Sequence, residues 1–204
     1  FTFSVEDFEL GRRDRLSGEP WLTDVTISNA SWSYIVGLEV VPARGVVHDF
    51  CDIVSMDGQL VRMVSPWSDG SIPVVQRAVL KALGQWMKTN GEAIYGTRPW
   101  KIYGEGPTQM QDDGHGSAHV DYTPQDIRFT AKGEAIYAIA LGTPREKLTI
   151  VALAANDSLV EAPITSVTSL NGDWIEFWVQ EHDGLKIKLK DDAPGQLAYA
   201  FKVL

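Results

Sequence analysis

The chain has 204 residues, 44% of them hydrophobic, enough for one large core or two small ones. Its net charge of −9 makes a duplex nucleic acid, whose binders need a positive face to displace counterions, a poor partner. The single cysteine, Cys51, excludes an internal disulfide and a cysteine-based zinc site, and no apolar run reaches the ~18 residues of a membrane span.

"FTFSV" reads as strand from the first residue with no preceding methionine, so the sequence is expected to start inside something longer. Just past it, "SVEDFELG" gathers Glu6, Asp7 and Glu9. Clustered carboxylates at a strand end raise one another's pKa, as an acid catalyst needs; a solvated acidic loop balanced by Arg12 and Arg13 is the plainer reading. In "SWSYI", Trp32 and Tyr34 lie two apart and would share one face of a strand, either packing a core or offering an aromatic face to a ligand. "VVPARGVVHDFCDIVS" places Val46, Val47, Phe50, Cys51 and Val54 on one helical stripe, with His48, Asp49 and Asp52 opposite. Cys51 is expected as a small buried hydrophobe.

A turn at Asp57-Gly58 leads into a strand over residues 59–64, and "PWSDGSIP" forms a loop carrying Trp67, where specificity residues tend to sit. Pro73 opens a second helix whose buried stripe is expected at Val75, Val79, Ala82 and Trp86, widened by Val74, Ala78 and Met87. Gly91 is expected as its left-handed C-cap. Alternating strands and helices indicate a parallel α/β sheet or barrel.

From about residue 100 the pattern changes. "DIRFTAKG", "EAIYAIALG", "KLTIVALA", "DWIEFWVQE", "GLKIKLK" and "QLAYAFKVL" are short strands, most with period-two alternation, and Asn171-Gly172 reads as a hairpin turn. Residues 109–122 read as an exposed loop, in which His115 and His119 suit a solvated stretch better than a metal site. The expected organisation is an α/β piece over 1–100 and an antiparallel β-sandwich over 101–204. The first piece is too small to close an eight-stranded barrel, so its missing strands are expected upstream or on a companion chain.

The run "DIVSMDGQLVRMVSPWSDGSIPVVQRAVLKALGQWMKTNGEAIYGTRPW" resembles the C-terminal end of the catalytic barrel in α-L-fucosidases of glycoside hydrolase family 29. "EDFELGR" and "PWLTDVTISNASWSY" resemble upstream motifs of the same family. The resemblance implies the last part of a (β/α)8 barrel followed by a β-sandwich. It also implies retaining, exo-acting release of α-L-fucose from a fucosylated glycan, without metal or cofactor. No segment matches the family's nucleophile strand, so the catalytic aspartate would lie outside these residues. Asp7 is the first candidate for the acid/base, with Glu6 and Glu9 as alternatives and Glu39 further out. Trp32, Tyr34 and Trp67 would form an apolar wall for the sugar. "LVRM" departs from the family's apolar strand and terminal asparagine; an inward Arg62 would need a carboxylate partner or a charged glycan.

The resemblance also makes residues 88–100 a domain junction, wedged by Tyr95, Pro99 and Trp100 and clamped by Arg98. The rival reading is a non-catalytic carbohydrate-binding or structural fragment lacking the nucleophile half. Enzymes on glycans work mostly outside the cytoplasm, which suggests a secreted or periplasmic protein; the sequons at Asn29 and Asn156 are too short to establish it.

Overall fold

The computed structural model describes residues 4–28, 31–108, 120–155, 157–191 and 195–204. The expected strand at residues 1–3, the His115/His119 pair and both sequon asparagines lie outside them. In chain order the elements are β1 (Glu6–Glu9), β2 (Trp21–Thr26), α1 (Ala43–Ser55), β3 (Gly58–Met63), α2 (Val74–Asn90), a 3-10 helix (Gly91–Ala93) and β4 (Arg98–Glu105). Then follow β5 (Ile127–Lys132), β6 (Ala135–Ala140), β7 (Lys147–Ile150), a 3-10 helix (Val151–Leu153), β8 (Val167–Ser169), β9 (Ile175–Glu181), β10 (Gly184–Leu189) and β11 (Tyr199–Val203). The chain is mostly sheet with few helices.

β1, β2 and β3 form a parallel sheet in that order. Parallel neighbours need a crossover, and α1 supplies it between β2 and β3. Trp21 is fully buried against Ile53 and Met56, Phe8 meets its ring edge-on at 5.5 Å, and its indole N–H donates to the Met56 carbonyl at 2.9 Å. This fixes the face of the sheet that carries α1.

Five strands in the order β4-β5-β6-β11-β8 form a sheet covered on both sides. Ala138, Ala140, Tyr199 and Phe201 face β7-β10-β9 across one core; Tyr137, Ile139, Ala198 and Ala200 face Val47, Cys51 and Trp86 across another. Burial on both faces explains why "AIYAIALG" is continuously apolar, whereas β10 alternates buried Leu185, Ile187 and Leu189 with lysines. Cys51 is fully buried, as expected. Trp86 donates to the Ala198 carbonyl at 2.9 Å and Tyr137 to Glu92 at 2.9 Å, tying the α2 end to this sheet.

Several expectations change. His48, Asp49 and Asp52 are buried, because α1 is packed on more than its apolar stripe. Val74 and Val75 are 62% and 58% exposed; α2 packs instead through Leu83, Trp86 and Met87. Gly91 is not left-handed: φ is −60° and the chain continues into the 3-10 helix. A Cβ there would stand 2.8 Å from the exposed Tyr95 ring, and the left-handed turn falls at Gly96, φ 70°. Asn171-Gly172 is no hairpin, since β8 pairs with β11 and β9 with β10. At the expected junction, Trp100 packs on Phe129 at 5.1 Å, but Tyr95 is exposed and Arg98, among the described residues, reaches only its neighbour's carbonyl, Thr97.

Candidate active site

The C-terminal ends of β1, β2 and β3 lie along one edge, as parallel pairing requires. Side chains alternate along each strand, so register decides which of them share a face. Glu6 is level with Trp21 and Phe8 with Thr23, on the α1 side. Asp7 is level with Leu22 and Gln59, and Glu9 with Asp24 and Val61, on the opposite, open face.

The three acids expected just past a strand are therefore inside β1, and they divide. Glu6 is paired with Arg13, whose guanidinium lies 5.8 Å over the Phe8 ring. Asp7 and Glu9 project with Asp24 from the open face. Asp24 was missed from the sequence; its Oδ1 is buried and finds no hydrogen-bond partner among the described residues. Leu10 follows at φ 58°, a left-handed conformation that branched side chains avoid. It turns the chain away after Glu9, so that Arg12 reaches α1. Thr23 Oγ1 holds the turn through the Phe8 and Gly11 carbonyls at 2.8 and 2.7 Å.

Trp32 and Tyr34 lie in the loop after β2 and not on a strand. β2 ends at Thr26, and serine and threonine hydroxyls hold the loop beyond it: Thr26 Oγ1 donates to the Ser31 carbonyl at 3.2 Å, and the Ser31 amide donates to Ser28 Oγ at 3.1 Å. Trp67 sits in a tight turn after β3, with its amide donating to the Ser71 carbonyl at 2.9 Å and Asp69 accepting from the Ser71 amide and hydroxyl at 2.9 and 2.6 Å. Those Ser71 bonds hold the exposed Asp69 carboxyl below its ordinary pKa. The structure brings the two loops together: the Tyr34 and Trp67 rings meet edge-to-face, centroids 6.1 Å apart, and both are partly exposed. Trp32 is half-buried, its carbonyl accepting from Ser65 Oγ at 3.0 Å. Glu39 lies exposed further along the same loop.

Arg62 does not face the open side. It extends from β3 toward α1, donating to Asp49 Oδ2 at 3.2 Å and to the Thr26 carbonyl at 3.1 Å. Its partner is thus a carboxylate of this chain, which removes the reason to assign it a charged glycan. Burial pulls its pKa below the ordinary value, with Asp49 opposing. Arg62 belongs to a buried network: Arg12 donates to Asp49 and Asp52 at 3.0 Å each, and Arg128 of β5 donates to Asp52. Burial alone would lower the Arg12 pKa, yet Asp49 and Asp52 raise it above the ordinary value. The signal for this network was the Asp49/Asp52 pair, spaced i, i+3 on a helix apolar around most of its circumference.

Residues 3–92 match the family model described as alpha-L-fucosidase. That match covers a little under half of the chain and agrees with the resemblance of the sequence motifs to glycoside hydrolase family 29. Tissue alpha-L-fucosidase of Macaca fascicularis is 26% identical over 195 residues, covering 91% of this chain and 36% of that protein. Plasma alpha-L-fucosidase of Rattus norvegicus is 33% identical over 129 residues, covering 61% of this chain and 25% of that protein. Among solved structures, the alpha-fucosidase of Thermotoga maritima in complex with fucose superposes with a TM-score of 0.73 at 26% identity, over 95% of this chain and 41% of its own. A further alpha-L-fucosidase has a TM-score of 0.76 at 24% identity, over 100% of this chain and 43% of its own. The chain spans about a third of the length of the first of these relatives.

Proposed function

We propose that this chain is the C-terminal part of a retaining, exo-acting alpha-L-fucosidase that releases α-L-fucose from fucosylated glycans. The observation that carries this reading is the row of Asp7, Glu9 and Asp24 on the open face of a parallel sheet whose C-terminal edge leads into the loops of the Tyr34–Trp67 pair, within the segment matching the family model. Asp7 acts as the acid/base. It gives its proton to the glycosidic oxygen while a nucleophilic carboxylate from the preceding part of the enzyme forms an ester at the anomeric carbon. It then takes a proton from the water that hydrolyses that ester. Glu9, the next acid on the same face, is the second candidate. Tyr34 and Trp67 offer apolar surface to the methyl group of fucose.

On this reading residues 1–100 are the closing part of a (β/α)8 barrel and 101–204 an antiparallel β-sandwich. Among the described residues β1 and β3 each pair on one side only, and Val61 and Met63 stand 45% and 40% exposed on the open face. Parallel sheets are ordinarily covered on both faces, so further strands are needed to close this one. Those strands come from the preceding part of the polypeptide or from a companion chain. A secreted or periplasmic site of action suits a glycan substrate, and no helix among the described residues is long and apolar enough to cross a membrane. The test is hydrolysis of 4-nitrophenyl α-L-fucoside by the full polypeptide that carries these residues. Absence of fucose release, with binding of fucosylated glycan retained, would favour a purely binding role.

A further inference from the structure

The first turn of α2 is inside out. Val74 and Val75 are exposed, while Gln76, a polar residue, is only 1% exposed. Its primary amide explains the inversion. Gln76 Oε1 accepts the Ser65 amide N–H at 2.9 Å, and Gln76 Nε2 donates to the Ser65 carbonyl at 3.0 Å. One side chain therefore satisfies both backbone groups of a residue just past β3, as a neighbouring strand would. Ser65 is fully buried, and its hydroxyl donates in turn to the Trp32 carbonyl.

Two loops are thus tied to one glutamine. The first leaves Ser65 and reaches Trp67 two residues later. The second passes through Trp32 and reaches Tyr34 two residues later. Their tips meet in the Tyr34–Trp67 contact at 6.1 Å. The hydrogen bonds are what an apolar residue would lack.

We propose that Gln76, acting through Ser65, is a positioning residue that sets the separation and tilt of the Tyr34–Trp67 wall and thereby how tightly the site holds its sugar. The proposal rests on the alpha-L-fucosidase reading, and deepens it by assigning the device that builds the binding wall.

The experiment uses the full polypeptide and two kinds of readout. In Gln76→Met, which keeps length and loses both bonds, KM for 4-nitrophenyl α-L-fucoside rises about tenfold while kcat stays within about twofold. Gln76→Glu discriminates further. A protonated carboxyl can both accept from the Ser65 amide and donate to its carbonyl, whereas the carboxylate can only accept. The KM ratio of Gln76→Glu to wild type therefore falls toward one as pH drops through the raised pKa that burial gives a carboxyl, while the Gln76→Met ratio stays flat. The second readout is independent of hydrolysis: 19F spectra of 5-fluorotryptophan protein, with Trp67 and Trp32 assigned by phenylalanine replacement. Gln76→Met moves both resonances and leaves that of Trp178 in place. Ser65→Ala, which removes only the hydroxyl, moves Trp32 and not Trp67, and serves if Gln76→Met does not fold. Unmoved Trp67 and Trp32 resonances, or a kcat loss equal to the KM change, overturn the proposal. A wild-type polypeptide that moves these resonances on substitution yet releases no fucose overturns the functional reading and leaves the positioning role standing.

Discussion

Asp52 of α1 and Arg128 of β5, 76 residues apart, are hydrogen-bonded between the helical layer and the five-stranded sheet. The pair is buried, and Arg12 approaches the other oxygen of the same carboxylate at 3.0 Å. Removing one member of a buried ion pair leaves uncompensated charge. Asp52→Ala is therefore expected to cost about 3–5 kcal/mol in urea unfolding. The double variant Asp52→Leu/Arg128→Met removes charge on both sides and should cost less than Asp52→Ala alone.

Asp126 provides a pH-dependent part of the stability. Burial raises the pKa of its carboxyl, but four hydrogen bonds outweigh that and lower it: from the Thr108 amide and hydroxyl at 3.0 and 2.8 Å, and from the Thr123 amide and hydroxyl at 2.6 and 2.8 Å. A depressed folded-state pKa gives stability that is fully present above the unfolded-state value, about 3.9, and is lost as pH falls through the folded value. Asp126→Asn should flatten that acid limb of the urea midpoint against pH. It should also cost about 1–3 kcal/mol near neutrality through poorer pairing with the two threonines.

Two glycines separate crowding against a fixed buried ring from crowding against a ring that can move. A Cβ on Gly58 would stand 2.5 Å from the buried Trp21 ring and 2.7 Å from Ile53, so Gly58→Ala should destabilise by about 1–3 kcal/mol. Gly91 has ordinary helical backbone, and its Cβ would meet only the exposed Tyr95 ring, which can turn aside. Gly91→Ala should change stability by less than about 1 kcal/mol, of either sign. Thermal midpoints of the two variants give the comparison.

The aromatic wall is expected to act as a pair. Tyr34→Ala and Trp67→Ala should each raise KM for 4-nitrophenyl α-L-fucoside more than they lower kcat. The double variant should fall short of their sum by about 0.5–1.5 kcal/mol, the coupling of an edge-to-face pair.

Much of the scaffold was legible because period and punctuation agree. Leu185, Ile187 and Leu189 alternate with lysines and form a strand with those three inside; Pro73 precedes a helix. The motifs around "EDFELGR" and "NGEAIYGTRPW" were long enough to point to one family. What failed were inferences that needed a partner element. Asp49 and Asp52 look solvated until Arg12, Arg62 and Arg128 arrive from elsewhere in the chain. Val75 looks buried on a helical wheel, but α2 packs through its second half. Asn171-Gly172 has hairpin chemistry, yet the strands on either side join different sheets. Trp32 and Tyr34 alternate like strand residues, but β2 ends at Thr26 and they lie in the loop after it. Of the site itself, Asp7, Glu9, Tyr34 and Trp67 could be nominated from sequence. Asp24, Ser65 and Gln76 could not, because only strand register and a buried amide connect them to the rest.

The most direct test is Asp7→Gly in the full polypeptide, assayed on 4-nitrophenyl α-L-fucoside with and without sodium azide. Loss of the acid/base should lower turnover by about 10²–10⁴-fold. Azide, which needs no proton removed, should restore it and yield fucosyl azide in the α configuration. Turnover kept without Asp7, or a loss that azide leaves untouched, would contradict the role given to this carboxylate.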